Sequence, residues 1–219
     1  MRNGLSYLIF LVDRSGSMAS IAKDMIGGFN AFIKAQRAAK AGDCKVFFYQ
    51  FDTKYDAVYE GVDLEKVVDL TDKTYVPRGG TALYCSLGKT IVAIGEKLNL
   101  MPESDRPEKV LIVTITDGEN NSVLENSEEK VYTLEQVKEM VKHQTDAYNW
   151  DFAYIGANQD AWQVGNNMGY AKGTSLNYVA SSTGTAAMFD KLTKSTVSYR
   201  TCTDKKFAFE DEDNKPVTP

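Results

Sequence analysis

The chain has 219 residues, 43% hydrophobic and 25% charged, which is typical of one globular domain. Its net charge of -5 disfavours nucleic acid and anionic membranes as main partners, because both attract basic patches. No window holds the roughly 18 to 20 apolar residues of a membrane-spanning helix and no leader peptide is recognisable, so we expect a cytoplasmic protein, or a virion protein if the source is viral.

The first half of the chain predicts a strand, a helix and a second strand, followed by a hairpin. Residues 8–12 are a continuous apolar run, and apolar residues at helical spacing extend from 21 to about 40. Residues 45–51 are rich in aromatic and β-branched side chains, and residues 56–62 alternate polar and apolar after a turn sequence. Residues 56–62 are therefore expected to form an antiparallel edge strand.

The second half of the chain alternates helices and strands. Repeated alternation of this kind implies a mainly parallel, doubly wound sheet with helices on both faces. A brief helix is predicted at 64–70, and the residues after it predict helices at 83–98, 133–147, 160–168 and 183–199 and strands at 109–116, 150–155 and 175–179.

The C-terminal end differs in composition from the rest of the chain. We expect residues 1–200 to form one domain and residues 201–219, which are acidic and contain prolines, to form a tail. That tail is either flexible or docks on a neighbouring subunit, which would make the protein an oligomer.

Three cysteines and one sequon need an interpretation. Cys44, Cys85 and Cys202 are far apart and form no CxxC pair, which favours a reducing compartment over a disulfide framework or a structural zinc site. Residues 120–122 match the N-glycosylation pattern, but without a leader peptide the match carries little weight.

Oxygen-bearing side chains follow the first strand at alternate positions. Asp13, Ser15 and Ser17 would point the same way if the chain leaves the strand in extended conformation. Carboxylate and hydroxyl oxygens are ligands that hard divalent cations prefer. These residues therefore indicate a metal site that needs further ligands from elsewhere in the chain.

Two later residues complete the predicted site. Thr81 lies in a loop that opens a helix, and Asp117 ends another apolar strand. Ligands of doubly wound sheets bind beyond the carboxyl ends of the strands, where both residues are expected. Taken singly, Ser15, Ser17 and Thr81 could each cap a helix and Asp117 could form a turn, but their joint occurrence in this order favours the metal site.

The motif Asp13-x-Ser15-x-Ser17, the threonine Thr81 and the turn that contains Asp117 resemble the metal-ion-dependent adhesion site of von Willebrand factor type A domains. The resemblance implies a Rossmann-like, six-stranded sheet of order 3-2-1-4-5-6 with one antiparallel edge strand. It also implies Mg²⁺ as the ion, with Mn²⁺ or Ca²⁺ as alternatives, and a partner protein that supplies an Asp or Glu carboxylate. Ser15 and Ser17 would be direct ligands, and the other three would bind directly or through water.

Enzymatic functions fit the sequence less well. A phosphoaspartate hydrolase would want a second aspartate in place of Ser15, and neither a GxxxxGK nor a GxGxxG phosphate loop is present. The single histidine, His143, is predicted on the polar side of a helix, so a Ser-His-Asp triad lacks a base. We therefore expect a non-enzymatic interaction module.

Two other functions stay open at this stage. The chain could be a structural component of a virus particle or large bacterial complex, or an accessory subunit of an ATPase or stress-response system. Four loops at the predicted crevice are expected to select the partner, namely residues 52–54, 75–78, 119–129 and 158–160.

Overall fold

A computed structural model describes residues 1–126, 130–202 and 206–209. Its sheet has six strands in the order β3-β2-β1-β4-β5-β6, which confirms the expected fold class. The strands are β1 (Arg2–Asp13), β2 (Cys44–Phe51), β3 (Tyr55–Asp63), β4 (Pro107–Thr116), β5 (Asp151–Ala157) and β6 (Ser175–Tyr178).

The two central strands of the sheet, β1 and β4, both contain continuous apolar runs. β1 pairs in parallel with both β2 and β4, and only β3 runs antiparallel, beside β2. From Leu8 to Leu11 the side chains of β1 are fully buried on both faces of the sheet. That burial explains why β1 reads as a continuous apolar run and not as an alternating pattern.

Helices cover both faces of the sheet. They are α1 (Ala22–Ala38), α2 (Leu83–Asn99), α3 (Leu134–Tyr148), α4 (Ala161–Asn167) and α5 (Ser182–Thr201), with short 3-10 turns at Gly16–Ile21, Leu64–Lys66 and Glu103–Asp105. Helices α1 and α5 pack on one face, against Leu8 and Phe10 among others, whereas α2, α3 and α4 pack on the other face, against Ile9 and Leu11. The core is therefore a layer on each side of one sheet.

Most predicted elements agree with the structure, with two local differences. The predicted helix at 64–70 is only the 3-10 turn Leu64–Lys66, and α1 is preceded by the 3-10 turn Gly16–Ile21. The expected capping box of α3 is confirmed, because the Thr133 side chain accepts from Gln136 N and Gln136 Oε1 accepts from Thr133 N.

Residues 206–209, within the predicted tail, pack on the domain. Phe207 and Phe209 are buried, and their amides donate to Asp151 Oδ1 and Gly173 O, at 3.3 and 2.8 Å. The acidic residues 210–219 lie outside the described residues, so a docking tail stays a prediction. No described helix is both long and apolar enough to cross a membrane. All three cysteine thiols are free.

Candidate metal centre

Asp13 lies at the carboxyl end of β1, beside the carboxyl end of the neighbouring strand β4. Val12 and Ile115 are partners in the parallel register, so Asp13 ends β1 where Thr116 ends β4. Asp13 Oδ2 accepts from Thr116 Oγ1 at 2.6 Å, and Asp13 Oδ1 accepts from Ser15 N at 2.6 Å. Asp13 is thus a fully buried carboxylate held by neutral donors.

The two serines connect the β1 end to the β4 end. Ser15 Oγ lies 3.1 Å from Ser17 Oγ, and Ser17 Oγ donates to Asp117 Oδ1 at 2.7 Å. Ser15 is buried, whereas Ser17 is exposed and Asp117 is partly exposed. The row of oxygens therefore runs from the interior to the surface, where another molecule can reach it.

The loop before α2 brings Thr81 close to the oxygens of Asp13, Ser15, Ser17 and Asp117. Gly16 N donates to Gly79 O at 3.1 Å, and Arg78 N donates to Arg14 O at 2.7 Å, so the loop before α2 lies against the loop after β1. A Cβ atom built on Gly118 would be 3.5 Å from Thr81 Oγ1. The structure thus gathers Asp13, Ser15, Ser17 and Asp117 through hydrogen bonds and leaves Thr81 beside the turn that follows Asp117.

The hydroxyl groups do not cap helices. Ser15 occupies the N-cap position of the 3-10 turn Gly16–Ile21, but its side chain makes no capping hydrogen bond. The N-cap residue of α2 is Ala82 and not Thr81. Because helix capping was the structural alternative for these residues, their hydroxyl groups remain available as oxygen ligands.

Burial, with a smaller contribution from the nearby charge of Asp117, raises the pKa of Asp13 from 3.8 to about 6. The groups that oppose this shift are neutral donors of Thr116 and Ser15. An ionised Asp13 therefore lacks a compensating positive charge, and a bound cation would supply one.

The carboxylate and hydroxyl oxygens of the site suit a hard divalent cation such as Mg²⁺ or Ca²⁺. Neighbouring oxygens of an octahedral Mg²⁺ shell, with bonds of about 2.0 to 2.1 Å, lie about 2.9 Å apart, whereas Ca²⁺ spreads its ligands further. The separations of 3.1 Å between Ser15 and Ser17 and of 2.7 Å between Ser17 and Asp117 are those of hydrogen-bonded oxygens, and they do not distinguish between these ions. Within the described residues, no group of three or more His, Cys, Asp or Glu side chains forms a metal site, as expected for a set with only two carboxylates.

An ion-pair cluster beside the site was missed from the sequence. Asp52 Oδ2 accepts from Arg14 Nε at 2.7 Å and from Arg78 Nε at 2.8 Å, and its Oδ1 accepts from Lys54 N at 2.5 Å. Asp56 Oδ2 accepts a second hydrogen bond from Arg14, at 2.5 Å. Asp52 and the Arg14 side chain are buried, so they brace the loop that carries Ser15.

These positions correct part of the predicted partner surface. Asp52 was expected to face a partner, but it is fully buried. Tyr75 is buried as well, and its hydroxyl donates to Asp13 O at 2.5 Å. The side-chain amide of Gln159 is buried, whereas Asp160, which caps α4, is exposed as expected. The half-exposed Arg78 keeps a surface position, and residues 127–129 lie outside the described part of the chain.

Comparison with solved structures shows a shared fold at low identity. No protein-family model matches the chain, and no curated protein matches it. A D319A mutant of the PilB minor pilin from Streptococcus sanguinis is similar with a TM-score of 0.63 at 13% identity, over 89% of this chain and 62% of that chain. This chain therefore matches less than two thirds of that pilin.

Two further structures carry names that bear on the site. The vWF domain of the type V pili tip protein Mfa5 from Porphyromonas gingivalis is similar with a TM-score of 0.62 at 10% identity, over 89% of this chain and 95% of that chain. Proximal thread matrix protein 1 from the mussel byssus, with a zinc-occupied MIDAS motif, is similar with a TM-score of 0.55 at 13% identity, over 88% of this chain and 46% of that chain. The fold is therefore that of von Willebrand factor A domains.

Proposed function

We propose that Asp13, Ser15, Ser17, Thr81 and Asp117 hold a divalent cation, with Mg²⁺ as the first candidate. The protein is then a non-enzymatic interaction module that recognises a partner through this ion. The proposal is supported above all by the hydrogen-bonded row from Ser15 through Ser17 to Asp117, which reaches the surface and in which Ser15 makes no capping hydrogen bond.

Each residue has a separate part in the proposal. Ser17 and Asp117 are accessible from solvent, so the ion would be open on that side, whereas Asp13 contributes charge from the interior. The bound ion would supply a Lewis-acidic position for an Asp or Glu side chain of a partner protein. Because the residues provide only two carboxylates, a third from outside can be accommodated around a divalent charge.

Mg²⁺ titration of the metal-free protein tests the site directly. We expect a binding isotherm for the wild type and no measurable heat for Asp117→Ala, because the exposed carboxylate of the site is removed. Glu119→Ala is the matched control, since it deletes an exposed acidic side chain two residues further along the chain and should leave the isotherm unchanged. Equal heats of Mg²⁺ binding for the wild type and Asp117→Ala would contradict the proposal.

The affinity for Mg²⁺ should fall in acid. Asp13 has a pKa of about 6 in the metal-free protein, so a proton competes with the ion below that pH. We expect the Kd to rise about tenfold for each pH unit below about 6 and to level off above it. Titrations at several pH values, in buffers of different ionisation enthalpy, measure both the Kd and the proton released. A flat Kd between about pH 5 and 7 would rule out Asp13 as a ligand.

A structural role is the second candidate, because pilins and a byssal matrix protein share this fold. Capture of partners from native lysate, with and without chelator, separates the two functions. An interaction module should release its partner when the chelator or Asp13→Ala removes the ion, whereas an assembly component should keep its contacts in both cases. Co-purification with a nucleotide-hydrolysing protein would instead favour an accessory subunit of an ATPase.

A further inference from the structure

The chain that follows Asp117 turns back over the beginning of α2. In this segment, residues 118–126, Asn120 Oδ1 accepts from Tyr84 N at 3.0 Å. The far end is fixed to the β2–β3 turn, because Glu125 N donates to Thr53 O at 2.8 Å. The segment is therefore attached both to the start of α2 and to the neighbouring turn.

Both peptide groups of Thr81 bond to this segment. Thr81 N donates to Asn121 Oδ1 at 2.8 Å, while Thr81 O accepts from Asn121 N at 3.0 Å and from Ser122 N at 3.2 Å. Thr81 itself is buried. Three hydrogen bonds thus fix the backbone on either side of the Thr81 side chain.

The close approach of the two segments requires a glycine before Thr81. A Cβ atom on Gly80 would lie 2.3 Å from Ser122 Oγ and 3.0 Å from Asn121 Oδ1. A contact of 2.3 Å does not occur between real atoms, so a larger residue at position 80 would force the side chain of Ser122 to move or the segment to shift. The contact between residues 118–126 and the loop at Thr81 thus depends on Gly80 in one segment and on Asn121 and Ser122 in the other.

Helix α2 depends on the same segment for its cap. Its own N-cap residue, Ala82, has no side-chain oxygen to offer. Asn120 supplies the missing acceptor to Tyr84 N, which lies 36 residues earlier in the chain. The start of α2, which closely follows Thr81, is thus tied to residues 118–126, the segment that follows Asp117.

We propose that Asn120 and Asn121 are positioning residues that hold Thr81 in register with Asp117 at the metal site. This inference rests on the proposed function, because it assigns Thr81 a place beside the ion. Asn120 and Asn121 do not touch the ion and act through the backbone of Thr81 and Tyr84. The role also accounts for the sequon-like residues 120–122 without a glycan.

Substitution of Asn121 tests the inference. Asn121→Ala removes the acceptor for Thr81 N, and we expect Mg²⁺ to bind about tenfold more weakly, the effect of one hydrogen bond. Asn121→Asp keeps an oxygen at the same place and should restore at least the wild-type affinity. Gly80→Ala should weaken binding in the same direction. Calorimetric titration well below the unfolding temperature measures the Kd of folded protein only.

A remote cap provides the control for general destabilisation. Thr133→Ala deletes the side-chain cap of α3, at a comparable stability cost, and should leave the Kd for Mg²⁺ unchanged. If the wild type binds Mg²⁺ and Asn121→Ala binds it equally well, the inference is overturned while the proposed function stands. A wild type that binds no divalent ion overturns the proposed function.

Amide hydrogen exchange of the metal-free protein tests the hold on Thr81 independently of the ion. Asn121→Ala should speed exchange of the Thr81 amide about tenfold, and Asn120→Ala should do the same for the Tyr84 amide. Thr133→Ala should change neither rate. Unchanged exchange at Thr81 in Asn121→Ala overturns the inference even where no metal binding is detected.

Discussion

Asp13→Asn is expected to stabilise the metal-free protein at neutral pH by up to about 3 kcal/mol while abolishing Mg²⁺ binding. Burial raises the pKa of Asp13 from 3.8 to about 6, and each pKa unit corresponds to about 1.4 kcal/mol. The folded state therefore binds the Asp13 proton more tightly than the unfolded state. Its stability falls as the pH rises from about 4 to about 6 and stays lower above that range.

The local hydrogen bonds can survive this substitution. An asparagine Oδ1 would still accept from Ser15 N, and its Nδ2 would face Thr116 Oγ1, whose hydroxyl can donate to Gly118 O at 3.0 Å. The neutral amide removes the cost of burying a charge, but it also removes an anionic ligand. The ionised carboxylate of Asp13 would thus lower the stability of the metal-free protein, while it provides an anionic ligand for the ion.

Urea unfolding in the presence of chelator, at several pH values, measures this effect. The wild type should lose stability relative to Asp13→Asn between about pH 4 and 6, with the difference constant above about pH 7. Asp146→Asn serves as the control, because Asp146 is an exposed carboxylate paired with Lys142, and it should change stability by no more than about 0.5 kcal/mol. A variant less stable than wild type at neutral pH would contradict the expectation.

Asp52→Ala is expected to lower the free energy of unfolding by about 3 to 5 kcal/mol. The substitution removes the one buried carboxylate that Arg14 contacts, so the buried guanidinium keeps only the half-exposed Asp56, and Lys54 N loses its acceptor. A buried charge that loses its partner keeps its desolvation cost but loses the compensating attraction. Because Arg14 lies next to Ser15, we also expect weaker Mg²⁺ binding.

Asp56→Ala is a matched control for this cluster. Asp56 accepts from the same two arginines, Arg14 and Arg78, but its side chain is half exposed. Exposed ion pairs contribute about 0 to 1 kcal/mol, so its removal should cost less than about 1 kcal/mol. Equal losses for Asp52→Ala and Asp56→Ala in urea unfolding would show that burial does not set the strength of the cluster.

Much of the fold could be predicted because its signals are local. The apolar run of β1, the aromatic run of β2 and the capping box at Thr133 are each recognisable within a few consecutive residues. In place of the predicted helix at 64–70, the structure has only the 3-10 turn Leu64–Lys66. Leu64, Val67 and Leu70 are buried, but the backbone is already extended at Val67. Short segments of this kind depend on tertiary packing more than on propensity.

By itself, the sequence determined the strand–helix alternation and the candidate ligands Asp13, Ser15, Ser17, Thr81 and Asp117, since their types and spacing at strand ends are readable from the chain. Only the tertiary structure decided how these residues are supported. The partners of Arg14 and Thr81 lie 38 and 40 residues away, at Asp52 and Asn121. Aspartates and asparagines are common in turns for local reasons, so their composition does not reveal which of them a distant loop will bury.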